Sequence, residues 1–154
     1  MEIRAKARRL KQRHNLKLIV IDYLQLMTSG KRVENRQQEV SEFSRNLKLL
    51  AKELNVPIIA ISQLNRSPEQ RADKKPMLSD LRESGSIEQD ADMVILLHRD
   101  DLYDSQNRSG EADLIVAKHR NGPTRTITVA AQLHFARFSN IAQTFSSGES
   151  FIKD

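Results

Sequence analysis

A chain of 154 residues, 38% hydrophobic and 29% charged, is long enough for one soluble domain and too short for two separate cores. It has no cysteine, which excludes a disulfide framework, a thiolate metal site and a cysteine nucleophile, and no apolar run nears the roughly 20 residues of a membrane-spanning helix. The formal charge of +5 is local: residues 1–14, MEIRAKARRLKQRH, hold six Lys and Arg against one Glu, leaving 19 of each sign elsewhere, which describes a solvated helix face before it describes a phosphate-binding surface.

That first segment reads as a helix with Ile3, Ala7 and Leu10 along one face. Its charges stand where a signal peptide needs an apolar stretch, so a cytoplasmic protein without a membrane partner is expected. Leu16 to Ile21 is a short continuous apolar run, the pattern of a strand covered on both faces in a parallel sheet. Thr28 to Asn35 reads as a loop. Val40, Phe43, Leu47, Leu50 and Leu54 recur at spacings of 3 and 4 and predict an amphipathic helix, which Asn55 and Pro57 end. PIIAIS supplies a second buried strand, completing a βαβ unit. Gln63 to Ser79 is polar and reads as a long mobile loop. Ser86 and Gln89 have the spacing of a capping box for a short helix over 86–91, and MVILL, 93–97, reads as a third buried strand. After a polar loop, ADLIVAKHR and TRTITVAAQLHF flank Asn121-Gly122-Pro123 and predict an antiparallel hairpin. Residues 141–154 have little to pack and are expected to form a flexible tail.

In open α/β sheets ligands collect beyond the carboxyl ends of the strands. Asp22 stands there after the first strand, Ser62 and Gln63 after the second, His98 and Arg99 after the third. An apolar strand that ends on Asp suits magnesium, a hard cation that takes oxygen ligands and keeps water, though Asp is also a common loop residue at such a place. The phosphate cradle G-x-x-x-x-G-K-[ST] is not present. Gly30 precedes Lys31, but Arg32 follows and no glycine stands five positions earlier.

LIVIDYLQLM, PIIAISQLNRSPEQR, LSDLRESGSIEQDADMVILLHRDD and IVAKHRNGPT together resemble, in order and spacing, the successive motifs of the bacterial replicative DNA helicases, the DnaB family of RecA-type hexameric ATPases. The likeness spans about residues 1–138. It implies an α/β fold: a partial RecA-like P-loop NTPase core with a mainly parallel sheet, flanking helices and a C-terminal antiparallel hairpin. Residues 1–140 would be the truncated motor domain. The complete protein would couple ATP hydrolysis to movement along single-stranded DNA and to duplex unwinding at the replication fork.

By the same resemblance, ATP and Mg2+ are the cofactors and Asp22 holds magnesium through water. Gln63 senses the terminal phosphate and links it to the DNA side. Lys118 and Arg120 reach the ATP site of the neighbouring subunit, where a permanently charged planar guanidinium suits a phosphoryl group in transfer. His119 is left as structural. Arg82, Glu83 and Gly85 match the loop lining the central channel, Gly85 because a residue without Cβ lets main-chain N–H groups approach phosphates, Glu83 as a brace. Lys31 and Arg32 match a second channel-facing loop. Few aromatic residues occur there, which favours backbone contact over base stacking. The implied partners are single-stranded DNA, identical subunits in a hexameric ring, primase and a helicase loader.

The chain departs from the family in having neither the phosphate loop nor the upstream strand that bears the catalytic glutamate, so the polypeptide by itself is expected not to turn over ATP. A RecA-like recombinase or regulatory ATPase ring shares the Asp-ended strand and the later Gln. A non-catalytic DNA- or protein-binding module is the alternative of a different class.

Overall fold

The structure, a computed structural model, describes residues 2–28, 35–81 and 85–141. Helix α1, Glu2–His14, leads into strand β1, Ile19–Ile21. Helix α2, Arg36–Leu54, crosses to strand β2, Ile58–Ala60, which lies parallel to β1 with Ile19 opposite Ile58 and Ile21 opposite Ala60. This is the expected βαβ unit. Helix α3, Gly85–Asp90, precedes strand β3, Met93–His98. Strands β4, Glu111–His119, β5, Arg125–Gln132, and β6, Arg137–Asn140, follow.

The α/β class holds, with a different balance inside it. Among the described residues the parallel pairing is confined to β1 and β2, and β3 joins β4, β5 and β6 in a four-stranded antiparallel sheet. An apolar run such as MVILL marks a strand but not which neighbour it pairs with, and β4 offers it a ladder from Met93–His119 to His98–Asp113. The expected hairpin is the β4–β5 pair. Strand β6 extends it through a tight turn at Leu133–Phe135, closed by Ala136 in the left-handed region (φ 47°).

The α2 stripe packs as its period dictates: Val40, Phe43, Leu47, Leu50 and Leu54 are all buried. Asn35 caps the helix by accepting a bond from the Gln37 N–H at 2.9 Å, and Asn55 ends it in the left-handed conformation. Ala7 of α1 meets Leu50, Leu54 and Val56, with Ile3, Leu16, Ile19 and Ile58 around them. Leu10, expected on the same face of α1, is exposed. Arg4 and Arg8 tie α1 to Glu53 of α2, and their hydrogen bonds, Arg8 first, lower the Glu53 carboxyl to about 2.

Two expectations change. The strands β1, β2 and β3 are not covered on both faces: Val20 (57% exposed), Ile59 (53%) and Leu97 (64%) point outward, while Ile21 and Ile58 pack beneath. The segment after Gln63 is built rather than loose. It makes short helical turns at Ser67–Gln70 and Leu78–Asp80, and buried Asp80 accepts from the Met77 N–H at 2.7 Å and pairs with Arg71. The tail expected over 141–154 lies, apart from Ile141, outside the described residues.

Candidate functional site

The carboxyl ends of β1 and β2 form one pole. The Ile61 N–H donates to the Ile21 carbonyl and the Leu24 N–H to the Ile61 carbonyl, both at 2.9 Å, so the ladder runs past the strands and brings the two chain ends together. Asp22 follows β1 directly and is exposed; its peptide bond to Tyr23 is cis. Gln63 is exposed on the adjoining segment. Between them lies Gln25, whose carboxamide accepts from the Gln63 N–H at 3.2 Å and donates to Ser62 Oγ at 3.0 Å and the Gln63 carbonyl at 3.4 Å. Arg36, in the first turn of α2, donates to the carbonyls of Gln25 at 2.6 Å and Met27 at 2.9 Å and pairs with Glu39. Sequence reasoning misses both Gln25 and Arg36; the available signal is a polar residue inside the apolar run DYLQLM.

His98 and Arg99, at the end of β3, engage a local network of carboxylates. The buried His98 Nε2 lies 2.8 Å from Asp100 Oδ1, and Arg99 forks onto Asp101 with two bonds of 3.0 Å. Arg108 closes the network with bonds of 2.7 and 2.8 Å to Asp113 and further bonds to Asp100 and Glu111.

Lys118 and Arg120 occupy the opposite pole. Alternation along β4 sets them on one face and His119 on the other, where the His119 ring lies against Gly122, so near that a Cβ there would come within 2.4 Å of it. Lys118 Nζ donates to the Gln89 carbonyl at 3.2 Å and to that of Glu88, the last turn of α3. The Arg120 N–H donates to the Asp92 carbonyl at 2.8 Å, and its guanidinium reaches the Gln89 carbonyl at 3.3 Å and the Asp92 carboxylate at 3.4 Å. Asp92 also pairs with Lys48 near the end of α2. The Lys48 hydrogen bond, then the charges of Lys48, Arg120 and Lys52, hold the Asp92 carboxyl below its ordinary range. These groups rim an open depression of about 410 Å³ with Asn55 and Asn121.

Lys48 lies 12 positions after Arg36 in α2, roughly 18 Å along a helix axis. The fold therefore brings Asp22 to Gln63, and Lys118 to Arg120, but not one pair to the other. Gly85 begins α3 with nothing within 4 Å of where a Cβ would stand. The expected capping box is not what starts that helix: Ser86 lies inside it and donates to Ser41 Oγ at 2.7 Å, anchoring α3 on α2. Lys31, Arg32, Arg82 and Glu83 lie outside the described residues.

For magnesium, the described residues offer no group of three or more His, Cys, Asp or Glu able to hold an ion. A single exposed carboxylate fits an ion that keeps its waters and takes its other ligands from phosphates, which is how magnesium is usually bound. No helix among the described residues is long and apolar enough to cross a membrane.

Comparison with known proteins gives a consistent result. The chain is 77% identical over 144 residues to the replicative DNA helicase DnaB of Mycobacterium leprae, covering 93% of this chain and 24% of that protein. It is 58% identical over 151 residues to DnaB of Geobacillus stearothermophilus, covering 96% and 33%. Thus it spans a quarter to a third of the length of these relatives. A solved structure of a DnaB-like replicative helicase, described with its interactions with primase, superposes with a TM-score of 0.86 at 45% identity, covering 91% of this chain and 34% of that one. A second solved structure, an ATPase domain, matches with the same score and identity over half of its own length. Residues 1–140 match the family described as the DnaB-like helicase C terminal domain, and the chain belongs to that family.

Proposed function

We propose that this domain is the C-terminal part of a replicative helicase motor. In the complete protein it would take part in ATP hydrolysis that drives a hexameric ring along single-stranded DNA and separates the duplex ahead. The observation that carries the reading is the division of the phosphate-directed groups between two poles. Asp22 and Gln63 stand at the carboxyl ends of β1 and β2, Lys118 and Arg120 at the far end of α2. A nucleotide held at the first pole is out of reach of the same chain's Arg120, and a neighbouring copy presenting its second pole completes the site.

Each group has a defined part. Bound ATP would supply the terminal phosphoryl group and magnesium the charge that neutralises it. Asp22 would hold magnesium through water, and Gln63 would offer its carboxamide to the terminal phosphate. Arg120, half exposed and held by a long ion pair and one exposed bond to the Gln89 carbonyl, can leave Asp92 at little cost because Lys48 keeps that carboxylate paired. Lys118, which donates to the α3 carbonyls, is the second cation directed at the neighbouring copy's nucleotide. Gly85, Arg82, Glu83, Lys31 and Arg32 are assigned to the single-strand path. Primase and a loader are the further partners, the first supported by the relative whose structure is described with primase.

The test is steady-state ATP hydrolysis with magnesium and single-stranded DNA, by this chain alone and mixed with a fragment that supplies the phosphate loop. No turnover alone, recovery on mixing, and loss of at least about 1,000-fold with Arg120→Ala are expected. Because the Arg120 pair is exposed, the same variant should keep its Tm. Magnesium-dependent turnover by the chain alone would overturn the proposal.

A further inference from the structure

We infer that Gln25 is a positioning residue for Gln63, fixing the backbone from which that side chain leaves. The inference rests on the phosphate-sensing reading of Gln63 and adds to it a group that touches no nucleotide. The N–H and carbonyl of one residue flank its φ and ψ torsions, so engaging both with a single rigid planar group restrains the two torsions together. The Gln25 carboxamide does this, accepting from the Gln63 N–H at 3.2 Å and donating to the Gln63 carbonyl at 3.4 Å, with a third bond to Ser62 Oγ at 3.0 Å.

The clamp is itself anchored. Gln25 lies in the tight turn Leu24–Leu26, where Leu24 is buried, and Arg36 holds its carbonyl at 2.6 Å. On the far side of Gln63, Leu64 bridges Leu81 and the Asn65 N–H donates to the Asp80 carbonyl at 2.8 Å. Gln63 is thus the exposed residue between two fixed points, and the clamping residue follows Asp22 by three positions in the chain. Among side chains of this length only a carboxamide supplies a donor and an acceptor from one plane. Glutamate keeps the acceptor and loses the donor, and methionine loses the donor and keeps only a weak acceptor.

The experiment uses the assembled ring protein carrying this domain, with Gln25→Met, Gln25→Glu, Gln63→Ala and the Gln25→Met/Gln63→Ala pair. Single-strand-stimulated ATP turnover is measured across ATP concentrations, alongside thermal unfolding. Expected are a kcat loss between about 10- and 100-fold for Gln25→Met, the size of a modest misplacement, a smaller loss for Gln25→Glu, an ATP KM within about twofold, and a double variant no worse than Gln63→Ala. The inference is overturned if Gln63→Ala is crippled while Gln25→Met keeps its kcat, or if the two losses multiply. If Gln63→Ala itself turns over normally, the sensor reading fails and the positioning role falls with it.

Discussion

Arg108 ties the loop between β3 and β4 to the antiparallel sheet. Its guanidinium forks onto Asp113, which is 2% exposed, and reaches Asp100, Glu111 and Thr128 as well. Removing it leaves a buried carboxylate without its charged partner, so Arg108→Ala should cost about 3–5 kcal/mol in denaturant unfolding. Arg108→Lys should recover only part, because an ammonium cannot fork. The hydrogen bond from Arg108, with a further one from Thr128, lowers the Asp113 carboxyl to about 2. A folded pKa below the unfolded one stabilises fully above pH 4 and is lost as pH falls from 4 towards 2, a contribution of about 2 kcal/mol. Stability measured down that range should drop in the wild type and stay flatter in Asp113→Asn. None of this was legible in RDDLYDSQNRSG, where the composition announces a loop but cannot say which arginine finds which carboxylate. The places of Asp22 and Gln63 beyond β1 and β2 are legible because a strand end is set by the apolar run before it. Gln25 was not, because its role depends on which strands lie side by side.

Helix α2 shows what periodicity can carry and where it stops. Its five apolar positions define a buried face before any neighbour is known, and all five are buried in the structure. Leu50→Ala, at 2% exposure, should lose about 2–5 kcal/mol by calorimetry or denaturant titration. At the C-terminal end of α2, Asn55 sits at φ 49°, a conformation glycine enters without strain. Asn55→Gly should therefore match or exceed the parent in Tm, and Asn55→Ala should lose about 1 kcal/mol. Strand β3 is the contrasting case. Its residues alternate between buried Val94, Leu96 and His98 and exposed Met93, Ile95 and Leu97, although the run MVILL carries no polar residue to mark the open face. Its antiparallel partner was equally hidden, since pairing is decided by what competes for the edge.

At the scale of the whole molecule, the uncovered apolar faces of β1, β2 and β3 govern behaviour in solution. Val20, Ile59, Met93, Ile95 and Leu97 are exposed side chains of the kind proteins usually cover. Sedimentation velocity should show association that grows with concentration, and Ile59→Lys with Leu97→Lys should weaken it without changing the secondary structure seen by circular dichroism. The two-pole arrangement has a consequence of another kind, a matter of counting. If every catalytic junction takes Asp22 from one copy and Arg120 from the next, an open row always has one junction fewer than copies, whereas closure supplies the missing one. It follows that two variants of the complete ring protein, Asp22→Ala and Arg120→Ala, each expected to be inactive by itself, should rescue each other: at equal mixing about a quarter of junctions in a head-to-tail ring inherit both intact groups. Activity appearing on mixing, absent from either alone, would measure that inheritance directly.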